Sequence, residues 1–140
     1  MITIISGSES DKDLVEKIEA VLKEFEVEFD SHVASAHRTP KRVEEIVKNS
    51  KSDVFIGVAG LSAALPGAIA SHTVKPVIGL PKNVKLSGLD SFLSIAQMPP
   101  GVPVATVGVD NAKNAAFLAL EILAIKDAGL KEKLKEYRNL

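Results

Sequence analysis

Cysteine and tryptophan are both absent from the 140-residue sequence, and one tyrosine and five phenylalanines are the whole aromatic complement. Without cysteine there are no disulfides, thiolate nucleophiles, zinc–thiolate centres or thiol redox chemistry, which agrees with a cytoplasmic setting. Charge of one sign is also missing. The 17 basic and 18 acidic residues leave a formal charge of −1, with no basic or acidic block in either half. Nucleic acid and anionic membrane are therefore not expected as partners, and a small molecule is. No apolar run approaches the roughly 20 residues that cross a bilayer. The start, MITIISG, lacks the basic region and small-residue cleavage site of a secretory signal, so none is expected. His32, His37 and His72 do not fall at H-x-x-x-H spacing, and no metal site is expected.

A chain of this length suits one hydrophobic core. Residues 1–140 are read as a single catalytic domain in which 128–140 form a C-terminal helical tail. Short β-branched runs alternate with helical periodicity, the mark of βαβ units and a parallel sheet. Strands are expected at Ile2–Ser6, Val27–Ser35, Asp53–Ala59, Pro76–Leu80 and Pro103–Val109. Between the first two, Leu14, Ile18, Val21, Leu22 and Phe25 share one helical face and charged residues the other. Further helices are expected at Pro40–Asn49, with Thr39 as N-cap, at Pro66–Thr73 and at Asp90–Gln97. The helix from about Asn111 to Lys126 is apolar on nearly every side, which implies burial all round and hence a neighbouring subunit. Leu130, Leu134 and Tyr137 then form the stripe of a final amphipathic helix.

In an open parallel sheet ligands bind beyond the C-terminal strand ends, so the residues that follow each strand carry the functional signal. After the first strand, Gly7–Asp11 offers free N–H groups, hydroxyls and a helix start to a phosphate or ribose, although Ser10 or Asp11 as a plain helix cap explains it equally well. It is neither a P-loop nor a complete G-x-G-x-x-G fingerprint. After the second, Ser35–Pro40 sets His37 beside Arg38, an imidazole able to exchange protons near neutrality next to a guanidinium suited to phosphate. A polar surface turn is the bland alternative. After the third, Ala59–Gly67 is almost all small residues, which admit a flat ligand or simply a close helix. His32 and His72 read as structural or exposed.

Taken together, GSESD at Gly7–Asp11, SAHRTP at Ser35–Pro40 and AGLSAALPG at Ala59–Gly67 resemble the N5-carboxyaminoimidazole ribonucleotide mutase family. GLDSFLSIAQMP at Gly88–Pro99 and the PVATVGV that follows extend the likeness, which runs in order from Ile2 to about Lys126. The resemblance implies a flavodoxin-like three-layer α/β/α sandwich with a central parallel sheet. It also implies a homo-octamer with active sites where subunits meet, and a cofactor-free enzyme of purine biosynthesis. Its substrate would be a ribonucleotide, with N5-carboxyaminoimidazole ribonucleotide and 4-carboxy-5-aminoimidazole ribonucleotide interconverted. By the same resemblance His37 is the catalytic proton-transfer residue, Ser8 and Arg38 lie near the phosphate and Asp11 at the ribose, and Ser10, Ser35, Ala36 and Gly60 line the pocket. A dry, enclosed site is implied, because the carbon dioxide released in mid-reaction must not escape.

Two departures from the family pattern stand out. Ala64 replaces the usual histidine before Leu-Pro-Gly, which brings the sequence nearer the branch that carboxylates aminoimidazole ribonucleotide directly. SAHRTP belongs to the mutase branch. The sequence also ends at Leu140, short of the longer C-terminal helix of many relatives, so a looser assembly is expected. Direct carboxylation is therefore one alternative to the mutase, and a non-catalytic ribonucleotide-binding module on the same fold is another.

Overall fold

The computed structural model describes residues 1–140. Five parallel strands, β1 (Ile2–Ser6), β2 (Phe29–Val33), β3 (Val54–Gly60), β4 (Val77–Lys82) and β5 (Ala105–Thr106), form one sheet in the order β2-β1-β3-β4-β5. This is the flavodoxin-like order, whose direction of winding reverses between β1 and β3. The helices are α1 (Lys12–Glu24), α2 (Pro40–Asn49), α3 (Leu65–Ala70), α4 (Leu89–Ala96), α5 (Ala112–Ala124) and α6 (Ala128–Arg138).

Strand alternation sends the core to both faces. Val54, Ile56 and Val58 of β3 pack with Ile2 and Ile4 of β1 against α1, α5 and α6, while Phe55 and Ala59 join Ile5 against α2, α3 and α4. Gly79 shows how closely α4 approaches the sheet, since a Cβ there would stand 2.2 Å from Ile95 Cγ2.

Besides small shifts in element ends, such as α3 over Leu65–Ala70 where Pro66–Thr73 is expected, two expectations change. The run Pro103–Val109 yields only the two residues of β5, because Pro103 has no N–H and the chain then follows β4 through irregular bonds such as Val107 N to Gly79 O at 3.2 Å. The apolar α5 is covered more fully within one chain than its periodicity suggests. Its Ala112, Ala115, Ala116, Ala119 and Leu120 are buried in a cluster shared with α1, the sheet and α6. Helix α6 contributes the buried Leu130 and Leu134, and its half-exposed Tyr137 rests against Phe117 and Phe25, with ring centroids 4.8 and 5.8 Å away. Lys133 also pairs with Glu26, and its hydrogen bond and charge hold that carboxyl below the usual carboxylate range.

Candidate active site

Three strand ends at the winding reversal build one cleft. Beyond β1, Gly7 N donates to Val58 O at 3.1 Å, and the chain enters a 3₁₀ turn, Glu9–Asp11, that runs straight into α1. Asp11 holds the N-cap position of α1 without a side-chain cap bond of its own, and Ser8 caps the preceding turn. Its hydroxyl accepts from Ser10 N at 3.2 Å, while the Asp11 carboxylate reaches back and accepts from Ser8 N at 3.0 Å. This is a capping box. Asp11 is 5% exposed, so a carboxylate is held almost buried at the cleft.

Beyond β2, the segment Ser35–Thr39 closes on itself. Thr39 N donates to Ser35 O at 2.9 Å, Ser35 N to Thr39 Oγ1 at 2.9 Å and Arg38 N to Ser35 Oγ at 3.2 Å. Thr39 occupies the N-cap position of α2, but its hydroxyl is engaged within the turn and caps no helical N–H, contrary to the expectation from sequence. The closed turn carries His37 and Arg38, both exposed. From there Arg38 Nη2 donates to Gly7 O at 2.8 Å, which ties the second segment to the first.

Beyond β3, Gly60 leads to Leu61, whose φ of 55° lies in the left-handed region that a leucine rarely adopts. The buried Ala63 and Leu65 then anchor the start of α3 in the core.

These segments enclose a cavity of about 470 Å³, within the usual range for small-molecule sites. Ser8, Ser10, Asp11, Ser35, Ala36, His37, Arg38 and Gly60 all line it, together with Ala64, Leu61, Ser62 and Val84. His32 lies away from the cleft on β2, 3.1 Å from Asp30 Oδ2, and His72 is exposed in the turn after α3. No three metal-ligating side chains gather anywhere in the chain. His37 and Arg38 are exposed, so a single chain does not make the dry chamber expected from the sequence.

Sequence reasoning missed Lys82. Its ammonium lies 3.3 Å from Asp11 Oδ1 and 3.4 Å from Asp13 Oδ1 and donates to Ser10 O. It also missed Val84 on the rim, and it named Leu61 only within the run Ala59–Gly67. The signal open to it was position alone, since all three residues stand at or just after strand ends.

The chain is 65% identical to the N5-carboxyaminoimidazole ribonucleotide mutase of Methanocaldococcus jannaschii over 99% of its own length and 88% of that protein's. It is 55% identical to the protein of the same name from Pyrococcus abyssi, over 96% and 80% of the two chains. The crystal structure of Treponema denticola PurE superposes with a TM-score of 0.90 at 31% identity, covering 99% of this chain and 89% of that one. The family model described as AIR carboxylase matches residues 1–140, and the chain belongs to the AIR carboxylase family.

Proposed function

We propose that this chain, as a single catalytic domain, interconverts N5-carboxyaminoimidazole ribonucleotide and 4-carboxy-5-aminoimidazole ribonucleotide in purine biosynthesis. The observation that carries the reading is the convergence of His37, Arg38, Ser8 and Asp11, drawn from two separate strand ends, on one cleft at the winding reversal. In this reading the carbamate N–C bond breaks, and its electron pair passes into the aminoimidazole. C4 then attacks the released carbon dioxide, forming the new C–C bond. The surplus proton on C4 must leave and the exocyclic nitrogen must gain one, so a single base that accepts the first and returns it to the second balances the reaction. His37 takes that role, because a neutral imidazole can do both near neutral pH.

Arg38 and Ser8 take the phosphate and Asp11 the ribose, with Ser10, Ser35, Ala36 and Gly60 as walls. One Arg38 nitrogen already donates to Gly7 O, and the guanidinium has further N–H groups to offer a phosphate. Arg38→Ala is expected to weaken nucleotide binding about 10- to 100-fold, the worth of a hydrogen bond to a charged group, with a smaller change in kcat. Unchanged affinity in calorimetry would put the phosphate elsewhere.

A homo-octamer is part of this reading. Leu61 and Val84 on the rim, and Leu86 and Leu89 in the segment after Val84, are between 47% and 74% exposed, apolar surface that a neighbouring subunit would cover as it closes the cleft. Light scattering should give eight times the chain mass, and a monomer would contradict it.

Ala64 in the cleft wall favours a second reading, direct carboxylation of aminoimidazole ribonucleotide. Parallel reactions with the N5-carboxylated nucleotide, and with its parent plus bicarbonate, separate the two. Efficient 4-carboxy product from the first alone supports the mutase, and efficient use of the second supports the carboxylase. No product from either leaves the ribonucleotide-binding module.

A further inference from the structure

We propose that Lys82 is a positioning residue for nucleotide binding: its ammonium reaches from the end of β4 to the Asp11 carboxylate and the Ser10 carbonyl, and so fixes the Ser8–Asp11 turn in its binding form. The proposal rests on the reading above for the roles of Ser8 and Asp11.

Strand β3 separates β4 from β1, and Gly60 is the β3 residue paired in register with Lys82. A Cβ on Gly60 would stand 2.7 Å from Val84 Cγ2, so the missing side chain makes room for Val84 on the rim, and at 3.6 Å from Lys82 Cβ the lysine stem runs in ordinary contact beside it. The two Asp11 oxygens are held by different partners, Oδ2 by Ser8 N at 3.0 Å and Oδ1 by Lys82 Nζ at 3.3 Å. The side chains of Asp11 and Lys82 are only 7% and 17% exposed, so the pair is shielded from water. A carboxylate so buried depends on its cation, because taking the cation away leaves an uncompensated charge. Asp13 also faces Lys82, but its side chain is 62% exposed and water can replace the lysine there. The consequence of losing Lys82 therefore falls on Asp11 and on the backbone from Ser8 to Ser10, which is the part assigned to ribose and phosphate.

Lys82→Met should raise the nucleotide Kd and KM about tenfold while kcat stays within about twofold. Lys82→Arg, which keeps the charge, should restore most of the affinity. In an Asp11→Asn background the same Lys82→Met change should add less than about twofold, since coupled residues are not additive. Asp13→Asn should leave affinity unchanged. A purely structural lysine would instead lower the amount of active protein with KM unaltered, and that result would overturn the proposal, as would an equal effect with and without the Asp11 carboxylate. Hydrogen exchange of the Ser8 amide, which donates to Asp11, gives a readout that needs no substrate. Lys82→Met should speed it by about tenfold or more relative to β3 amides. Unchanged exchange overturns the positioning role even if the wild-type protein turns nothing over, an outcome that would by itself sink only the mutase reading.

Discussion

His37→Asn is expected to bind the nucleotide as the wild type does and to lose turnover by about 10²- to 10⁴-fold, the usual contribution of a positioned general base. Asparagine is shorter than histidine but keeps a polar group near the position of the imidazole Nδ1 in the Ser35–Thr39 turn, whose closure depends on the Ser35 and Thr39 hydroxyls and not on residue 37. The loss should therefore fall on the proton transfer alone. Separate measurement of Kd by calorimetry and kcat by product formation checks this. Wild-type turnover in the variant would end the role given to His37, and lost binding would show that the imidazole holds the substrate.

The largest expected effect on stability comes from Phe55→Ala. Phe55 is fully buried in β3, at the middle of the sheet, and belongs to the cluster that holds α2, α3 and α4. Lys75 Nζ lies 5.9 Å from its ring centroid, so the ring also carries a cation–π contact. Truncation removes the buried ring and leaves a cavity between two layers, a change that costs about 3–5 kcal/mol. Domains have only about 5–15 kcal/mol in total, so the variant should be folded but markedly weaker. Urea unfolding should show a lower midpoint with an unchanged slope. A loss below about 1 kcal/mol would mean that this face of the sheet is not packed as described.

Local signals in the sequence reach the fold well where the structure is local. The strand Ile2–Ser6 and the helix Pro40–Asn49 form over those residues, because an apolar run bounded by Gly7 and a helix opened by Pro40 carry their own limits. The strand expected at Val27–Ser35 forms only over Phe29–Val33, though ladder-like bonds from Ile2 N to Glu28 O and from Ala34 N to Ser6 O continue past both ends. The edge strand at 105–106 is short for a local and a non-local reason, since Pro103 gives no N–H before it and Pro81 gives none on β4. The cleft was legible because strand ends at a winding reversal meet whatever the intervening helices do. Lys82 was not. The apolar run of the fourth strand ends at Leu80, two residues short of Lys82, and no spacing along the chain brings residue 82 to residue 11. That meeting depends on the order β1-β3-β4, which the chain sets only once folded.

In the mutase reading the carboxyl group migrates on one nucleotide within this cleft. The most direct test supplies N5-carboxyaminoimidazole ribonucleotide labelled with ¹³C in the carboxyl group, in excess unlabelled bicarbonate, and follows the label into the 4-carboxy product at early times. If the carboxyl group stays within the cleft, the product keeps the label. A product carrying carbon from the bicarbonate pool would contradict that reading and assign the chain to direct carboxylation.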